Sequence, residues 1–193
     1  AGQRPFTDYT DAPHATRRAQ YLNVVAELLV DHLAELELEW RPGQDNFRRA
    51  FESKTSTEAL KDLLTGLVYM AGDELSGERM YVAYDSRGQE DEQSCFSDMT
   101  HKDIQWNYQG VESVILKTGL LELPQVVGTP VAQRLQSRLA LSRYLISSIP
   151  APFDQALVTE SSRQLIINSV EELENLATDL VELSVMLNAR VEY

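Results

Sequence analysis

The chain has 193 residues, enough for one domain with a continuous hydrophobic core. Its 17 Lys and Arg face 30 Asp and Glu, a net charge of -13 that repels nucleic-acid phosphates and anionic lipid headgroups and argues against a nucleic-acid partner. No run approaches the ~18 apolar residues of a transmembrane helix, and the single cysteine, Cys95, excludes an internal disulfide and leaves the compartment open.

Residues 1–13 contain Gly, two prolines and no period, and read as an extended lead-in. From about His14, Leu22, Val25, Leu29, Leu33, Leu36 and Trp40 recur at steps of three and four, the face of an amphipathic helix that RPGQD stops. NFRRAFES supplies one or two helical turns. A second long helix opens at SKTSTEAL, where Ser56 or Thr57 serves as cap, and its stripe runs through Leu60, Leu64, Leu67 and Ala71. The polar stretch QEDEQSCFSDMTHKD (89–103) then interrupts the pattern. A third helix carries Ile104, Tyr108, Val111 and Ile115. A fourth, from about Val131, carries Leu135, Leu139 and Leu145 before SSIPAPFD breaks it. The last, roughly 162–190, carries Ile166, Leu173, Leu176, Leu180, Leu183 and Leu187. Nothing reads as a strand. The fold class is all-α, an antiparallel four-helix-type bundle with short extra helices, forming a single domain over 1–193.

Two of these stripes acquire polar residues. Continued at helical steps, the second helix places Glu74, Glu78 and Tyr81 on the face that carries Leu64 and Leu67. Carboxylates on such a face need a hydrogen bond, an ion pair, a metal or a proton. Stepping back along the third helix from Ile104 reaches His101 and then Ser97. In antiparallel helices these residues share one end of the bundle, joined by Asp98 at a helix N-terminus that favours anions. Thr100 and Asp103 have the spacing of a capping box. The plainer alternatives are a helix emerging into solvent at Glu74 and Glu78 and a simple N-cap at Ser97, Asp98 or Thr100. Cys95 and Phe96 read as a small apolar anchor. The sequence contains no HExxH, CxxC, Walker loop or GxSxG, and no Glu-x-x-His pair of a di-iron bundle.

AGDELSGERM (71–80) followed by QEDEQSCFSDMTHKDI (89–104) resembles the imelysin-like family, iron-regulated bacterial envelope proteins classed as metallopeptidases. RPFTDY (4–9) and RRAQYL (17–22) agree with it as well. The resemblance spans essentially the whole chain and corresponds to the C-terminal part of a typical member. The family's GxHxxE signature lies upstream of RPFTDY and does not occur in this sequence. The resemblance implies a partner region, an N-terminal domain carrying GxHxxE, and a periplasmic or outer-membrane location. It implies Glu74, Glu78, Arg79, Ser97, Asp98, His101 and Asp103 as one side of a polar ligand site, with His101 and Glu78 as metal ligands. Iron, zinc and haem are the candidate ligands, and an iron-uptake protein the candidate partner. Gln93 stands where the family has His, which removes an imidazole, and Met99 where it has Asn. Arg79 next to Glu78 partly neutralises the site and suits an ion-paired pocket or an anionic ligand better than a bare cation. A binding role in iron acquisition is therefore the first expectation. A metallopeptidase completed by the upstream half and a ligand-free structural bundle are the alternatives.

Overall fold

The computed structural model describes residues 4–192, which are predominantly helical and contain no strand. The all-α expectation holds. Two compact units divide the chain, one ending at Ala59 and the other running from Leu60 onward.

In the first unit, Phe6–Tyr9 forms a turn of 3-10 helix where extended chain was expected; residues 1–3 of that lead-in lie outside the described residues. Arg18 ties this turn to the next helix by donating to the carbonyls of Asp8 and Pro13 at 2.7 and 2.6 Å. Helix α1 spans Ala15–Trp40, within a residue of its expected start, and ends where Pro42 denies the chain another amide donor. The side-chain amide of Asn46 then caps the free carbonyls of Leu38 and Arg41 at 2.7 and 2.8 Å. Its oxygen accepts from the Arg49 amide and starts α2, Phe47–Glu52. Trp40 packs edge-on against Phe47, ring centres 5.2 Å apart.

The apolar stripe of α1 does not form a core. Only Ala15 is buried along this helix, while Leu29, Leu33 and Leu36 are 59, 57 and 56% exposed. Within its unit, α1 packs chiefly against the short helical elements at its two ends.

Helix α3, Ser56–Tyr69, is capped by Thr55 rather than by Ser56 or Thr57. The Thr55 hydroxyl accepts from the Glu58 amide, and the Glu58 carboxylate accepts from the Thr55 amide at 3.0 Å, a reciprocal capping box. Gly66 sits on the exposed side of this helix with open space where a Cβ would stand. Gly66→Ala should therefore raise stability by about 0.5–1 kcal/mol, read as a higher midpoint in urea with unchanged slope.

The same helix continues as a π-helical segment, Met70–Tyr81, and closes as α4, Val82–Ser86. Bonding five residues back instead of four spends nearly one more residue on each turn. The buried positions consequently run Leu64, Leu67, Val68, Ala71, Leu75, Ser76, Met80 and Ala83. The expected continuation through Glu74, Glu78 and Tyr81 is thereby overturned. Glu74 is half-buried, Glu78 exposed and Tyr81 45% exposed.

Helices α5 (Thr100–Lys117), α6 (Pro130–Ser148) and α8 (Glu160–Met186) complete the second unit. The π segment packs on α5, α5 on α6, α6 on α8, and α8 back on the π segment, a closed four-helix arrangement. The predicted core residues Ile104, Tyr108, Val111, Ile115, Leu135, Leu139, Leu173 and Leu180 are all buried in it. A short α7, Phe153–Val158, was not foreseen within the segment that breaks the fourth helix; it tucks Phe153 and Leu157 fully into the core beside α8.

Polar side chains fasten these helices. The buried Tyr108 hydroxyl donates to the Leu139 carbonyl and lies 3.3 Å from Glu112, which Arg143 grips from α6. Burial and the Glu112 charge push the Tyr108 hydroxyl well above the usual tyrosine range, so it remains a donor at any ordinary pH. Tyr108→Phe should cost about 1–2 kcal/mol, because the Leu139 carbonyl loses that donor in a buried setting; chemical denaturation reads this directly. Buried Arg163 lies 3.9 Å over the Tyr84 ring and donates to the carbonyls of Tyr84 and Leu157 at 2.8 and 2.9 Å, joining α4, α7 and α8.

Candidate functional site

Between α4 and α5 the chain leaves regular helix after Ser86, makes a 3-10 turn over Gln89–Asp91, and passes through a series of turns to Thr100. Ser94 is the knot of this segment. Its amide donates to the Thr100 hydroxyl at 3.1 Å and its own hydroxyl donates to the Asp103 carboxylate. Its carbonyl accepts from the amides of Ser97 and Asp98 at 3.1 and 2.9 Å. Asp98 adopts a left-handed conformation with φ 59°, costly for a residue other than glycine, and turns the chain into α5. Thr100 and Asp103 do not form the expected capping box. Met99 occupies the cap position without a side-chain bond, and both side chains reach back to Ser94.

The segment buries one carboxylate completely. Glu92 is 5% exposed, and neither of its oxygens meets the geometry of a hydrogen bond. The Thr100 hydroxyl lies close enough to favour its ionised form, but burial dominates, and Asp154 and Asp98 add to it. The Glu92 carboxyl is consequently held above the usual glutamate range. Half-buried His101, in the first turn of α5, likewise buries its Nδ1 without a hydrogen-bond partner.

The remaining expected site residues divide. Asp98 is near enough to Glu92 to influence its proton, and Asp103 is bonded to Ser94. Ser97 is exposed and reaches only the Ser94 carbonyl, at 3.3 Å. Arg79 pairs with Glu74 at 3.0 Å, not with its neighbour Glu78. Residues five apart meet here because one π turn separates them. Gln93, in the position of the missing imidazole, accepts from Asn107 at 3.3 Å. Cys95 is buried, but Phe96 is 76% exposed, so only the first anchors the segment.

Sequence reasoning missed Glu92. It follows Glu90 and Asp91, both exposed, and nothing in the run EDE distinguishes the buried member. Only the turn before Thr100 sorts them. Among the described residues no group of three or more His, Cys, Asp and Glu side chains is gathered to hold a metal ion. The described residues therefore do not gather the three protein ligands of a catalytic zinc site.

These features define an all-α bundle protein with a polar inter-helix segment that carries an unpartnered carboxyl and an unpartnered imidazole nitrogen. The chain belongs to the imelysin family, whose model, Imelysin (Peptidase_M75), matches residues 1–180. No curated protein matches it. The family is generally associated with the cell envelope. No described helix is long and apolar enough to cross a membrane.

Proposed function

We propose that this chain serves iron acquisition at the bacterial cell envelope, with residues 92–103 supplying one side of a polar ligand site. The upstream region that carries GxHxxE in the family supplies the other side. The observation that carries this reading is the pair of unpartnered buried atoms, the Glu92 carboxyl and His101 Nδ1, within ten residues of one segment. Buried polar groups without partners are rare in folded proteins and call for a specific explanation, such as an absent ion or ligand. The exposed stripe of α1 supports the same reading. Tyr21, Leu28, Val25, Leu29, Leu22 and Leu33 cover an arc too broad for a single partner helix, as in a helix taken from the middle of a bundle. Its occupant in this reading is the upstream helical region.

The Arg79–Glu74 pair changes the expected electrostatics. Arg79 is already engaged, and the carboxylates near Glu92 give this segment an acidic character. A cationic ligand group, including a metal completed by upstream residues, fits it better than an anion. Calorimetric titration of the full-length polypeptide with ferrous iron, ferric iron, zinc and haem tests the proposal. Saturable binding to at least one of them is expected, and no heat with any of the four would defeat it.

A further inference from the structure

We infer that the exposed face of α1 is a self-pairing surface, on which a second copy of this chain lies antiparallel with the two-fold axis at Leu29. The order of the apolar residues carries this. Leu22 and Val25 stand seven and four residues before Leu29, and Leu33 and Leu36 stand four and seven after it, so the strip reads the same in both directions. All five are exposed, an apolar patch of the kind that marks an interaction surface. At about 3.6 residues per turn they share one narrow arc centred on Leu29. A two-fold axis requires a surface that complements itself, and this strip does. Leu29 meets the partner's Leu29, Val25 meets the partner's Leu33, and Leu22 meets the partner's Leu36. Matched apolar layers of this kind form the seam of a helix pair.

The charges of α1 are arranged for the same partner. Arg17 and Arg18 stand in its first turn, Glu37 and Glu39 in its last, and neither turn holds the opposite charge. Within one helix this order opposes the macrodipole at both ends. In the antiparallel pair exposed Arg17 comes alongside the partner's Glu39, and Arg18 comes opposite the partner's Trp40. A parallel copy would instead set arginines beside arginines and carboxylates beside carboxylates. Glu27 and Asp31, the acidic residues nearest the axis, project from the side of α1 opposite Leu29, so no like charges meet at the centre. The overlap runs from Arg18 to Trp40, almost the whole of the helix. The apolar arc is too broad for one helix, and its Tyr21 and Leu28 edge remains for the upstream region. The pairing uses none of residues 92–103, so it stands or falls separately from the ligand reading.

Analytical ultracentrifugation of the 193-residue chain tests this. At micromolar concentration it should sediment as a dimer, at twice the chain mass of 21.8 kDa. Leu29→Glu brings two carboxylates together on the two-fold axis and should weaken the dimer at least ~10-fold. Helix content by circular dichroism should stay constant, because Leu29 is exposed in the single copy. Cysteine cross-linking fixes the orientation without relying on that variant, and buried Cys95 stays out of the reaction. An oxidised mixture of Leu22→Cys and Leu36→Cys should link. Leu22→Cys alone should not, since its two copies in an antiparallel pair stand fourteen residues apart along the axis, about 21 Å, beyond the reach of a disulfide. A monomer would leave the whole arc to the upstream region and overturn the pairing. So would a dimer indifferent to Leu29→Glu, or a self-linked Leu22→Cys.

Discussion

Asp179→Ala should lower the stability of the unit from Leu60 onward by about 3 kcal/mol, the largest effect expected from any single polar substitution. Asp179 is 5% exposed on α8 and accepts from two guanidinium groups of α6, Arg134 at 3.1 Å and Arg138 at 2.5 Å. Arg138 also holds Glu172 at 3.0 and 3.2 Å, and Arg134 holds Glu182, so five charges form one strip along the α6–α8 contact. Removing the central carboxylate leaves Arg138, three-quarters buried, with Glu172 alone. Each guanidinium keeps some water contact, which places the cost at the lower end of the range for a broken buried pair. For a domain of this size the thermal midpoint should fall by roughly 6–12 °C. A loss below ~1 kcal/mol would mean that the strip behaves as ordinary surface ion pairs.

Phe153→Ala should cost about 3–5 kcal/mol in the same unit. Phe153 is fully buried at the start of α7, and its ring is the largest side chain in the core to be wholly removed from water. Alanine leaves a cavity between α7 and α8 that the surrounding helices, tied by Arg163, cannot fully close. Phe153→Leu retains most of the volume and should cost less than half as much. Denaturant midpoints of the two variants decide the matter. Equal losses would show that shape at this site matters more than volume.

Periodicity made most of the architecture legible. The stripes through Ile104–Ile115, Leu135–Leu139 and Ile166–Leu183 needed only the 3.6-residue period, and each is buried as expected. The same period failed beyond Ala71, because no residue type in AGDELSGERM announces a π helix. That failure moved Glu78 out of the core face and paired Arg79 with Glu74. The α1 stripe had the right period, but a period says which residues share a face and not whether anything covers it. At the polar segment, residue types singled out residues 89–103 as an interruption of the helical pattern. They did not disclose that Thr100 and Asp103 turn back to Ser94, or that Glu92 is the carboxylate left without hydrogen bonds. Those facts depend on a turn through left-handed Asp98, whose conformation lies outside any hydrophobic pattern.

The central claim, that residues 92–103 face a ligand, is tested most directly by the affinity of His101→Ala in the full-length polypeptide. The ligand that binds the unmodified protein serves as the probe, and thermal unfolding is followed in parallel. His101 contributes no hydrogen bond through Nδ1 to the unliganded fold, so its loss should leave the thermal midpoint nearly unchanged. Affinity should fall at least ~10-fold, equivalent to about 1.4 kcal/mol. Unaltered affinity would contradict the assignment of this segment to the site.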